Sequence, residues 1–80
     1  MSSGDEIVQT LIDEIERYLS AHPNAADTVE GIRGWWLPPE LRMEPLERVI
    51  SALGYLERRG FVAKAKLEGD AEIYSAAARH

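Results

Sequence analysis

The stretch that decides the fold is Leu53-Gly54-Tyr55-Leu56-Glu57-Arg58-Arg59-Gly60-Phe61-Val62. Its first half continues an apolar repeat that begins at Leu46 and runs through Val49, Ile50, Leu53 and Leu56, the three- and four-residue spacing of a helix with one buried side. Gly60 is the residue type expected to end that helix, because a left-handed terminal position favours glycine. From Phe61 onward the period changes. Residues 61–67 and 71–75 alternate loosely in polarity about Glu68-Gly69-Asp70, which predicts a β-hairpin with its turn there.

Working backwards, Pro45 fits the first turn of this helix, and Leu37-Pro38-Pro39 closes whatever precedes it, since consecutive prolines cannot continue an α-helix. Before the prolines, Val29, Ile32, Trp35 and Trp36 predict a second helix capped by Asp27 or Thr28. Gly31 and Gly34 weaken it, by about 1 kcal/mol each relative to alanine, or let a neighbour approach closely. The first helix spans Ile7 to Leu19 on an Ile7, Val8, Leu11, Ile12, Ile15, Tyr18, Leu19 stripe and stops at His22-Pro23. Ser3 and Glu6 have capping-box spacing at its start. Asn24-Ala25-Ala26 reads as a link.

The expected fold class is therefore α+β: a three-helix bundle followed by a C-terminal β-hairpin, in one domain over residues 1–80, with 1–4 and 76–80 flexible. Helix, helix, helix, hairpin resembles the winged helix-turn-helix family. The Leu53 to Val62 stretch resembles small bacterial regulators of the multiple-antibiotic-resistance and arsenical-resistance types. The resemblance implies a DNA-binding module of transcription regulation, with the third helix in the major groove and the hairpin as a wing near the backbone. One departure stands out. Trp35 to Met43 forms a longer, more apolar connection than the tight turn usual in that family.

Carried over by position, the outward residues of the third helix are Glu47, Arg48, Ile50, Ser51, Gly54 and Tyr55. Arg48 alone among them is a usual base reader. The candidate DNA contacts are Arg42, Arg48, Ser51, Lys64 and Lys66, with Arg33 a further phosphate contact. Lys64 and Lys66 also fit solubilising charges on an edge strand, the reading favoured by Glu68, Asp70 and Glu72 nearby. Ile50 is expected to be covered by the Trp35 to Met43 connection. Adjacent helical residues sit about 100° apart, so Trp35 and Trp36 cannot both face one core. The candidate protein interface is Trp35, Trp36, Leu37, Ile50 and Tyr55.

Composition sets the balance between these uses. The formal charge is −5, which opposes bulk attraction to nucleic acid or acidic lipid, and residues 1–22 hold five acids against one base. There is no cysteine, so thiolate metal sites and cysteine nucleophiles are excluded, and a reducing cytoplasm is the natural setting. No segment reaches the ~20 apolar residues of a membrane span. His22 and His80 have no partner in sequence for metal or acid–base work, and no phosphate-cradling glycine loop is present. The expectation is a non-enzymatic binding module without cofactor or metal. A protein partner or self-association is favoured, and double-stranded DNA is the alternative.

Overall fold

The computed structural model describes residues 3–66, 69 and 71–77, with side chains described from Glu6 onward. Helix α1 (Ser3–Ala21) leads into a two-residue strand β1 (Ala26–Asp27), then α2 (Val29–Gly31), which continues as a π-helical turn over Ile32–Trp36. A 3-10 turn at Pro39–Leu41 precedes α3 (Leu46–Arg58), and strands β2 (Val62–Lys66) and β3 (Glu72–Ala76) complete the chain. The architecture is α+β, three helices and a C-terminal hairpin in the winged-helix arrangement. None of the described helices is long and apolar enough to cross a membrane.

The core follows the predicted stripes. Leu11, Ile12, Ile15 and Leu19 of α1 meet Val49, Ala52, Leu53 and Leu56 of α3, and Ile32, Trp36, Leu37, Val62 and Tyr74 close the remaining sides. Each large aliphatic side chain so buried contributes about 1.5–3 kcal/mol. Ile50 does not join them. One step of 100° from Val49 rotates it off the stripe, and Ala52 takes the inner position that the sequence reading had given it.

The first strand is a correction. Ala26, read as part of a link, and Asp27, read as a candidate helix cap, pair antiparallel with Ser75 and Tyr74 of β3, giving a three-stranded sheet in the order β1-β3-β2. Two residues carry no periodicity, so only their distant partner reveals them. Asp27 then turns the chain into α2: its carboxylate accepts from the Thr28 amide at 2.8 Å, and the Thr28 hydroxyl caps the helix by accepting from Gly31 N at 3.2 Å. Gly31 is needed here, because a Cβ at that position would overlap the Asp27 carboxylate. Of the two caps offered by the sequence, Thr28 is the one used.

α3 ends as a Schellman motif. Gly60 has φ of 81°, its amide donates to Glu57 O at 3.1 Å, and Phe61 N donates to Leu56 O at 2.9 Å. The hairpin register pairs Val62 with Ala76, Lys64 with Tyr74 and Lys66 with Glu72. Gly69 has φ of 79°, as the turn at Glu68-Gly69-Asp70 requires, while Glu68 and Asp70 lie outside the described residues. Ser3 and Gly4 already belong to α1, Ala76 is paired in β3, and Ala77 N donates to Phe61 O at 3.0 Å. Residues 1–2 and 78–80 of the segments expected to be flexible lie outside the described residues.

Candidate functional site

The path from Trp35 to α3 is where sequence singled out the unusual connection, and it is pinned by arginines. Arg33 Nη1 donates to Glu44 O at 3.3 Å, tying the π turn to the start of α3, and Arg42 Nε donates to Leu37 O at 3.2 Å, folding the 3-10 turn back on itself. Leu37 is extended before Pro38 and drops its side chain into the core. Leu41 packs half-buried against the same core. Ile50, in contrast, stands 48% exposed. That overturns the expected cover.

The two tryptophans divide. Trp36 is 6% exposed, its ring stacked on Tyr18 with centroids 4.9 Å apart and 10° between planes, and Tyr18 lies 4.4 Å from His22. The π turn, closed by i→i+5 bonds, keeps Ile32 and Trp36 on the inner side. Trp35 points away and is 77% exposed. Of the five candidate interface residues, Trp36 and Leu37 are therefore core residues, while Trp35, Ile50 and Tyr55 (37% exposed) reach the surface. Ile50 and Tyr55 lie five positions apart on α3, about 140° around its axis, so they occupy opposite flanks. Met43, 89% exposed, was missed by the sequence reading. It sits between Arg42 and Glu44 in an irregular segment, where no periodicity announces which way a side chain points.

The candidate DNA contacts are placed as follows. Arg48 Nη1 lies 2.9 Å from Glu44 Oε1 in an i,i+4 ion pair, so the one usual base reader among the six outward positions already has a carboxylate. Arg42 is turned toward Leu37 O. Lys64 Nζ is 3.7 Å from Glu72 Oε2 across the hairpin. β2 is an edge strand, and Lys64 and Lys66 share the face of Val62 and Tyr74 beyond the limit of the core. Ser51 and Lys66 are exposed. Further along α3, the Arg59 guanidinium lies 5.6 Å from the Tyr55 ring centroid, a cation–π contact.

Among the described residues, no group of three or more His, Cys, Asp or Glu side chains is placed to hold a metal ion, and His80 lies outside them. Tyr74 titrates above the ordinary value of 10.0: burial raises it, Lys64 acts against this, and Glu72 and Glu57 act with it. It is a core residue on β3 and not part of the α3 surface. No protein family, curated protein or solved structure matches the chain.

Proposed function

We propose that this domain is a non-enzymatic winged-helix module that docks a protein partner on the surface formed by α3 and the segment leading into it. The observation that carries the reading is Trp35. It is a large indole left 77% exposed on a backbone anchored at both ends by Arg33 and Arg42. An aromatic side chain on a preorganised segment is a typical interface anchor, since little entropy is lost when it is covered. Met43 on the connection and Ile50 on α3 add exposed apolar side chains.

DNA reading by α3 is the weaker use of the fold here. Arg48 would have to leave Glu44, and Lys64 would have to leave Glu72, before either met a base or a phosphate. The chain's charge of −5 adds repulsion. The resemblance to bacterial winged-helix regulators then reflects shared architecture carrying a different contact. A chain without cysteine suits a reducing cytoplasm.

The deciding experiment compares the wild-type domain with Trp35→Ala and Ile50→Ser as bait in host extract, and titrates labelled duplex DNA into the wild type at low salt. The reading expects a protein retained by the wild type and lost from both variants. DNA binding that weakens steeply with added salt and is indifferent to Trp35→Ala would replace it with the regulator reading.

A further inference from the structure

A concavity among the described residues is lined by side chains other than those on α3's outward face. It is an open groove of about 540 Å3 between the C-terminal half of α1 and the base of the hairpin, with Leu19, Leu56, Phe61 and Val62 among its apolar walls. Ala76 and Ala77 leave its floor shallow on the sheet side. Volumes of roughly 300–1,000 Å3 are those in which large side chains or ligands seat.

Its charge is one-sided. Glu16 is the only ionisable side chain of the lining, and among the described residues it has no ion-pair partner, because the neighbouring Arg17 is paired to Glu14 at 3.4 Å. The wall that bears it belongs to the most acidic element of the chain, where Glu6 and Asp13 are also exposed. An apolar trough with one free carboxylate at its rim is matched by a segment that brings an apolar side chain with a cation beside it. A second copy of this chain fits poorly, since each copy carries −5 and α1 would face another acidic surface.

We infer that this groove is a second docking site, taking a cationic amphipathic segment of a partner protein, its apolar side chains against Leu19, Leu56 and Phe61 and a lysine or arginine on Glu16. The site is independent of the surface assigned to Trp35. Ser20, exposed on α1 and lining the groove, offers a way to fill the site without disturbing the core.

The test is an amide-resolved NMR titration of the folded domain with two synthetic helical peptides of one leucine pattern, one carrying lysine and the other glutamate at the polar positions. The lysine peptide is expected to bind, with shifts concentrated at Leu19, Ser20, Phe61, Val62 and Ala77, and the glutamate peptide is expected to fail. Ser20→Trp should abolish the shifts. Glu16→Gln should weaken binding about five-fold, the scale of one partly exposed ion pair, while Glu6→Gln, which changes net charge equally, should leave the affinity as it was. Equal binding of both peptides, no binding of either, shifts spread along the exposed acids of α1, or equal effects of Glu16→Gln and Glu6→Gln would each overturn the inference. None of these outcomes depends on Trp35, which Trp35→Ala in the same titration checks directly.

Discussion

The α1–α3 contact and the connection from Trp35 to Glu44 hold their shapes by different means. Between the helices the side chains do everything: leucines, isoleucines, a valine and an alanine interlock with almost no exposed area. In the connection the backbone is held by prolines and by arginines donating to carbonyls, and the large side chains are partly released, Leu37 inward and Trp35 and Met43 outward. The lesson is that a segment can be fixed without being buried. Only such a segment can keep apolar side chains ready for another molecule at no cost in its own packing.

Trp35 and Trp36 give the sharpest form of that comparison. Trp36→Ala removes a core side chain stacked on Tyr18 and is expected to cost about 3–5 kcal/mol, enough to unfold most of so small a domain. Trp35→Ala should fall within about 0.5 kcal/mol of wild type. Urea denaturation of the two variants measures both, and similar losses would erase the distinction.

The glycines of the second helical segment come next. Gly31→Ala forces the Asp27 carboxylate off the Thr28 amide and is expected to destabilise by about 1 kcal/mol, in spite of alanine's better helix propensity. Gly34 has open space at its Cβ position, so Gly34→Ala is expected to stabilise by up to about 1 kcal/mol. Opposite signs in thermal melts would support the Asp27 contact as the reason for Gly31. A comparable loss, about 0.5–1.5 kcal/mol, is expected for Arg42→Ala, which leaves Leu37 O without its donor. That variant should also speed amide hydrogen exchange in the connection while leaving α1 unchanged.

The smallest effect concerns pH. Tyr74 binds its proton more tightly in the folded state, so its contribution to stability is complete below the unfolded value near 10 and is lost as pH rises through the higher folded value. Denaturation of wild type and Tyr74→Phe across the alkaline range should therefore show a steeper decline for the wild type. Parallel curves would contradict the burial argument.

Much of this was legible in the residues. The α1 stripe, the stop at Pro38-Pro39, the left-handed Gly60 and the hairpin are local features, each encoded within a few positions, and all appear where their chemistry puts them. β1 was not legible, because Ala26 and Asp27 become a strand through partners near the other end of the chain. The fates of Trp35 and Trp36 were set by the π turn, which shifts the register of a helix in a way that a 3.6-residue reading does not anticipate. Ile50 was misplaced for a similar reason: the stripe had room for it or for Ala52, and packing chose the smaller residue. For the surface, the sequence put Trp35, Ile50 and Tyr55 among the candidate interface residues but could not say that Met43 would also be exposed or that Arg48 would be taken by Glu44.

The sheet has a consequence for how the protein is made. Its middle strand is the last to be synthesised, and both outer strands, one from between the first two helices, wait for it. On a ribosome, the helices can collapse on one another early, but β1 stays unpaired until Tyr74 and Ser75 have left the exit tunnel. Completion of the sheet thus waits on the last of its three strands in chain order. A nascent chain stalled before that point would present Ala26, Asp27 and the hairpin's first strand as open edges to whatever chaperone stands by.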